Sequence, residues 1–227
     1  MSAMSDTPHR AILFDLDGTL VDTIALLLES VRHAFEGRPD GAPTTADWIA
    51  GIGTPLADQL RPYSADEADL QSLTERYRRY QRANHDRLTY CYPDVVATVR
   101  QLHERGYPMA VVTSKANDIA LRTVTYVGLA QYFPVIVGVE STSRHKPDPE
   151  PVQFALESLG ARPSDAVFVG DSPHDVRSGN AAGVTTIGAL WGPFSRAQLE
   201  AAHPSRLLER IGGLPALLDS LPVPAAA

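Results

Sequence analysis

Cysteine is nearly absent: Cys91 is the single one among 227 residues. A disulfide framework and a zinc site built on paired cysteines are both excluded. A reducing, cytoplasmic location is the natural expectation. No run approaches the ~18 consecutive apolar residues that span a bilayer, so no membrane partner is expected. The short polar stretch Met1 to Arg10 lacks the apolar centre of a signal peptide. Basic residues are in deficit, 20 Lys and Arg against 27 Asp and Glu, for a formal net charge of −7. A general nucleic-acid binder normally carries a basic face, so nucleic acid is not an expected partner. A local basic patch can still serve a small anionic substrate. Internal repeats are also missing. What remains is 44% hydrophobic, enough for one ample core or a core plus a small second domain.

Ala11-Ile12-Leu13-Phe14 is a short apolar run that reads as a buried strand. After Asp22 or Thr23, either of which can cap a helix, Ile24, Leu27, Leu28, Val31 and Phe35 fall at helical spacing. Gly37 to Pro43 breaks that pattern. From Thr44 to about Asp86 the chain stays helical, with Trp48, Ile49, Ile52, Leu56 and Leu60 as one apolar group and Leu70, Leu73, Tyr77 and Tyr80 as another. Beyond Tyr92-Pro93 a helix from Asp94 to about Arg105 leads into an alternation. Strands are expected at Met109–Val112, Val135–Val139, Ala166–Val169 and Val184–Ile187. Helices are expected at Asp118–Val127, Pro151–Leu159, Val176–Ala182 and Ala197–Ala202. Strands this apolar are buried on both faces, and β-α alternation implies a parallel sheet. The expected fold is therefore α/β: a doubly wound parallel sheet from residues 1–21 and 87–227, with a small all-helical domain, 22–86, inserted after the first strand. The tail from Leu221 is expected to be unstructured.

The chemistry-bearing residues all lie at expected strand ends, where such sheets bind ligands. Asp15 and Asp17 are two residues apart, so a strand would aim both carboxylates at one ligand. At about 4 Å and an effective dielectric of ~20, two such charges repel by roughly 4 kcal/mol. A divalent cation, or a proton on one acid, relieves this. One acid can then act as nucleophile and the other as proton carrier. Gly18 and Thr19 follow at a turn whose N–H groups suit an anion. An ordinary Asp-Gly turn beside a solvated acid fits the same four residues. Asp171 and Asp175, in Gly170-Asp171-Ser172-Pro173-His174-Asp175, are oxygen ligands of the kind magnesium prefers, and equally placed to cap a helix. Thr113 and Ser114, ahead of Lys115, can hold phosphate oxygens or form a plain strand-to-helix turn. Lys146 sits in a proline-rich loop, as a fixed positive charge or a solvated lysine.

Taken in order, Asp-Leu-Asp-Gly-Thr, Val-Val-Thr-Ser-Lys, Lys-Pro-Asp-Pro and Gly-Asp-Ser-Pro-His-Asp resemble the motifs of the haloacid dehalogenase superfamily of phosphohydrolases, over about residues 10–215. The resemblance implies that Asp15 is the nucleophile and forms an aspartyl-phosphate. Asp17 would protonate the leaving oxygen and then activate water. Thr113 and Lys146, with Ser114 nearby, would hold the phosphoryl oxygens. Mg²⁺ would be bound by Asp15, the Asp17 carbonyl and Asp171, with Asp175 in support. Halide-releasing members lack the second acid that Asp17 provides. β-Phosphoglucomutase-like members carry a phosphate-gripping arginine in the segment that here reads Gly51-Ile52-Gly53-Thr54-Pro55, where Thr54 stands in its place. No motif position is lost, which disfavours a catalytically silent binding protein.

The insertion looks like the helical cap of this superfamily, which excludes water and selects substrate. Within the capped members the chain resembles phosphoglycolate phosphatases, and also small pyrophosphatases at Asn84-His85-Asp86 and Lys146 to Pro151. The implied function is a Mg²⁺-dependent phosphatase of a small phosphorylated metabolite, such as a phosphoglycolate-like monoester, working as monomer or homodimer. Inorganic pyrophosphatase is the alternative, and a mutase is less favoured. The cap arginines at 76, 78, 79 and 82 form a solvated face, an interface or a substrate contact. Trp191 lines the site rim or packs.

Overall fold

A computed structural model of the chain describes residues 10–38 and 41–222. Its centre is a six-stranded parallel sheet built from β1 (Ala11–Phe14), β4 (Met109–Val112), β5 (Val135–Val137), β6 (Ala166–Gly170), β7 (Thr185–Ala189) and β8 (Arg206–Leu208) in the order β5-β4-β1-β6-β7-β8. The chain runs outward from β1 through β4 to β5, then returns to the other side of β1 for β6, β7 and β8. The reversal puts the switch in strand order at β1, where the crevice of a doubly wound sheet opens.

Period-two alternation divides β1 between two cores. Ile12 and Phe14 pack with Val95, Val99 and Leu102 of α5 (Val95–Glu104) and Ala120 and Val124 of α6 (Asn117–Tyr126). Leu214 and Leu218 of α10 (Leu214–Ser220) close that side. Ala11 and Leu13 pack with Val152, Ala155 and Leu156 of α7 (Glu150–Leu159), beside Ala182 of α8 (Pro173–Ala182). All four β1 residues are fully buried. Each large side chain so buried contributes roughly 1.5–3 kcal/mol. That burial fixes the strand and hence the position of Asp15, the next residue, whose N–H donates to the Val169 carbonyl at 2.9 Å.

A two-residue ribbon of β2 (Val21–Asp22) and β3 (Tyr90–Cys91) pairs antiparallel at the foot of the helical insertion. Between its strands lie α1 (Ile24–Ala34), α2 (Thr45–Gly51), α3 (Leu56–Leu60) and α4 (Glu67–Asn84). Their apolar stripes meet in a third cluster: Leu27, Val31, Trp48, Ile52, Leu60, Leu70, Leu73 and Tyr77. Val176, Phe194 and Leu199 join that cluster, the last from α9 (Arg196–Glu200), so the insertion packs onto the sheet domain.

Several elements differ from expectation. The helical stretch from Thr44 breaks at Ile52–Pro55, and again before the Asp66 cap of α4, whose side chain accepts from Asp69 N–H. Strand β5 ends at Val137 because Gly138 is wedged against α6, where any Cβ would lie 2.0 Å from the Asn117 side chain. Strand β8 and helix α10 lie in a stretch where no element was expected. Leu221 packs on the core and Pro222 accepts a hydrogen bond from Arg10, so the ordered chain outlasts the expected start of the tail; residues 223–227 lie outside the described residues. No helix among the described residues is long and apolar enough to cross a membrane.

Candidate active site

Four carboxylates and two ammonium groups meet above the carboxyl end of β1. Lys146 is buried and donates to Asp15 Oδ1 at 2.7 Å, to Asp175 Oδ1 at 2.6 Å and to the Val112 carbonyl at 3.3 Å. Its loop is clipped in place: the Glu150 carboxylate accepts from Ser143 and Arg144 N–H, and the Asp148 carbonyl accepts from Ser178. Lys146 is thus a fixed internal cation, not a solvated one. Asp175 caps its helix and also pairs with Lys146. Its Oδ2 accepts from Ser172 N–H at 3.0 Å and Ser172 Oγ at 2.6 Å, closing a capping box at the start of α8, while Oδ1 takes Lys146.

Asp171 accepts from Thr19 Oγ1 at 2.7 Å through Oδ1, but its Oδ2 is buried without any partner among the described residues. Ligand oxygens of Asp15, Asp171 and Asp175 lie within 4.8 Å of one another. A hard divalent cation takes such an all-oxygen set. It would also supply the partner that Asp171 Oδ2 lacks, and offset the excess of acids over lysines. The group therefore fits Mg²⁺.

Without that cation the carboxyls resist ionisation. Burial pushes Asp15 up to about 7; Lys146 opposes the rise, while Asp175 and Asp17 add to it. Burial, with the charges of Asp15 and Asp175, also holds Asp171 well above the usual carboxylate value. Burial likewise opposes the charge on Lys146, yet Asp15 and Asp175 outweigh it and keep the ammonium protonated. A carboxyl whose folded value exceeds its ordinary 3.8 binds extra protons when folded. Metal-free stability must then fall as pH rises from about 4 through about 7, while Mg²⁺ binding gains as protons leave. In thermal melts, Mg²⁺ is expected to raise Tm over an EDTA control by more at pH 8 than at pH 5. Equal increments at the two pH values would refute this charge balance.

Asp17 stands apart from the trio. β1 ends at Phe14, so strand alternation no longer governs position 17. Its carboxylate accepts from Lys115 Nζ at 2.5 Å and from the buried Thr23 hydroxyl at 2.5 Å. Asp15 and Asp17 still line one cavity. Neither Lys115 nor Thr23 was assigned a role in the site from the sequence. Thr23 precedes α1 as a candidate cap, but the Asp22 side chain accepts from Ile24 N–H and frees Thr23 for Asp17.

Gly18 and Thr19 reach the site differently from expectation. The Gly18 N–H donates to the Val21 carbonyl at 2.8 Å and the Thr19 N–H to the Leu16 carbonyl at 3.4 Å, so the turn itself consumes both donors. Gly18 instead gives clearance: at φ +88° a Cβ there would lie 2.5 Å from Asp171. The N–H groups left without an acceptor among the described residues belong to Leu16 and Asp17. Thr113 lines the cavity beside them. Ser114 also lines it, but its hydroxyl donates to the Gly53 carbonyl of the insertion at 2.6 Å. Gly53, at φ +100°, has room for no side chain, since a Cβ would lie 2.7 Å from Ser172 Oγ. The Gly51–Pro55 turn therefore sits down on the sheet domain.

The cavity beneath the insertion has a volume of 140 Å³. Trp191 acts from outside it, donating from Nε1 to the Thr19 carbonyl at 2.9 Å and steadying the turn. Asn84-His85-Asp86 is likewise not in the lining. His85 is fully buried between Asp86 (2.7 Å) and Thr123 (2.8 Å), and it ties the end of α4 to α6.

The haloacid dehalogenase-like hydrolase profile matches residues 12–189. A pyrophosphatase PpaX of Bacillus velezensis is 36% identical over 211 residues, 93% of this chain and 97% of its own length. That of Halalkalibacterium halodurans is 38% identical over 177 residues, 78% of this chain and 81% of its own. Among solved structures, one described as a predicted phosphoglycolate phosphatase from Haemophilus somnus superposes with a TM-score of 0.86 at 23% identity, covering 94% of this chain and all of that one. At that identity the likeness speaks for the fold. With strand order, converging acids and near full-length relatives in agreement, the chain belongs to the haloacid dehalogenase-like hydrolase family, as an enzyme acting on phosphate compounds.

Proposed function

We propose that the protein is a Mg²⁺-dependent phosphohydrolase of small, doubly anionic phosphates, working through an aspartyl-phosphate on Asp15, and that inorganic pyrophosphate is its preferred substrate. The observation that carries this reading is that Asp15 and Asp17 line one cavity with different partners: Asp15 takes Lys146 and clusters with Asp171 and Asp175 behind the cavity wall, and Asp17 takes Lys115. Asp15 attacks phosphorus as the bond to the leaving oxygen breaks, and that oxygen takes its proton from Asp17. A water then attacks the aspartyl-phosphate, Asp17 accepts its proton, and phosphate departs with Asp15 restored. Lys146, the Thr113 hydroxyl and the Leu16 and Asp17 N–H groups would hold phosphoryl oxygens, positioning that supplies most of the rate in phosphoryl transfer. Asp15, Asp171 and the Asp17 carbonyl would hold Mg²⁺, with Asp175 in support. When bound there, the cation would supply positive charge to offset what develops on the phosphoryl oxygens.

The sequence put a phosphoglycolate-like monoester first and pyrophosphate second. The named relatives move the weight to pyrophosphate, because identity of 34–38% spans most of both chains in several of them. A mutase loses ground further: Thr54 Oγ1 donates to the Gly51 carbonyl at 2.7 Å and only closes its own turn. Phosphate release from pyrophosphate, 2-phosphoglycolate and ethyl phosphate, each with Mg²⁺ and with EDTA, tests the reading. Pyrophosphate is expected to give the highest kcat/KM, and EDTA to remove the activity. Preference for phosphoglycolate would hand the substrate to the monoester reading. No release from any of the three would end the proposal.

A further inference from the structure

Helix α4 forms the roof of the cavity and turns Tyr77, Arg78 and Gln81 toward it, across from Asp15, Asp17, Thr113 and Lys115. Positions 77, 78 and 81 share one side of a helix. None of the three polar ends has a hydrogen-bond or ion-pair partner among the described residues, although Tyr77 and Gln81 are buried. These polar ends are not sealed in the interior but open on the cavity, and a set of three donors facing one space marks a place for a ligand. The neighbouring arginines behave otherwise. Arg76 donates to the His33 and Glu36 carbonyls and ties α4 to α1. Arg82 pairs with Asp118 at 3.1 Å, and Arg79 is exposed.

We infer that Arg78, with the Tyr77 hydroxyl and the Gln81 amide, forms a subsite for the second anionic group of the substrate, the one that leaves. The inference rests on the hydrolytic reading above and adds to it the residue that selects substrate. Lys115 of the floor and Lys146 behind it are already engaged by carboxylates, Lys146 by Asp15 and Asp175, Lys115 by Asp17. A distal phosphate or carboxylate thus needs a cation from the roof, and Arg78 is the cap arginine that lines the cavity. Its planar fork suits either anion. At 140 Å³ the cavity is well below the roughly 300 Å³ at which pockets for larger ligands begin, so the leaving group is a few heavy atoms. Burial and the charge of Asp17 keep the Tyr77 phenol protonated, hence a donor.

Binding and turnover separate the possibilities. Calorimetric titrations with Mg²⁺ would use methylenediphosphonate, phosphonoacetate and methylphosphonate, on wild type, R78M and R78K. Arg78→Met is expected to weaken the diphosphonate roughly 10- to 100-fold and leave methylphosphonate within about threefold, with Arg78→Lys intermediate. If the diphosphonate loses more than phosphonoacetate, the subsite is one for phosphate; the reverse makes it one for carboxylate. Equal loss for all three ligands, or none, overturns the subsite. Turnover of pyrophosphate and ethyl phosphate is read on the same proteins. Selective diphosphonate binding by a wild type that hydrolyses neither would keep the subsite and end the phosphohydrolase reading. Normal hydrolysis with equal losses in R78M would do the opposite.

Discussion

Asp15→Asn is expected to lower kcat for pyrophosphate by at least about 10⁴-fold, the scale on which removal of a covalent nucleophile acts. The substitution keeps shape and hydrogen-bonding reach but removes the charge and the attacking oxygen pair. The fold should not suffer. Asp15 is buried with its carboxyl pushed up to about 7, so in the absence of metal the ionised acid opposes folding above that pH. A neutral amide lifts this opposition and leaves Asp175 to pair Lys146. Tm in EDTA at pH 8 is therefore expected to equal or exceed that of wild type, while the Mg²⁺-dependent rise in Tm shrinks because one ligand is weakened. A loss of turnover with a lowered Tm would trace the defect to folding. Turnover above a hundredth of wild type would place the nucleophile elsewhere.

How far the site could be read from the chain depended on how each residue is held. Asp15 follows four residues buried on both faces, and such a strand is a continuous apolar run with no polar interruption. Its acid is conspicuous, as are those after β6 and the lysine that precedes Pro147. Strand β8 left no such mark: it is three residues long and partly exposed, too short for a period of two to register. The turn after Asp15 was misleading for a different reason. Gly18 and Thr19 look like anion donors in sequence, but hydrogen bonds inside the turn decide which N–H groups stay free, and those were Leu16 and Asp17. The roof was hidden by tertiary docking. The stripe on α4 reads Leu70, Leu73, Tyr77, Tyr80, yet burial follows Leu70, Leu73, Tyr77 and Gln81. Tyr80 swings out to donate to Glu29, and the stripe runs on into a polar residue facing the cavity. The trace the sequence held is the arginine run that includes Arg78, which it left open among a solvated face, an interface and a substrate contact.

Lys146→Met should be the most destabilising single change in the site. The lysine lies between two buried carboxylates at 2.7 and 2.6 Å, and methionine fills much of its volume without its charge. Removing one partner of a buried ion pair commonly costs about 3–5 kcal/mol, because the remaining charges keep their burial and lose their compensation. For a chain of this size that corresponds to a Tm lower by roughly 10 °C. The deficit must depend on pH. Without the ammonium, Asp15 loses the charge that opposed its rise, so its folded value climbs further above the unfolded one. The stability lost to the substitution is then small near pH 5, where protonation supplies the missing positive charge, and large near pH 8. Mg²⁺ should recover part of it at pH 8 by drawing Asp15 and Asp171 to itself, but it cannot replace the bond from Lys146 to Asp175. Activity should remain low even in the refolded, metal-loaded protein, since no other basic side chain among the described residues pairs with Asp15. Melts at pH 5 and pH 8, with Mg²⁺ and with EDTA, read these effects apart. A variant with wild-type Tm at pH 8 in EDTA would mean that Lys146 does not hold the acids together, and the charge balance assigned to the site would fall with it.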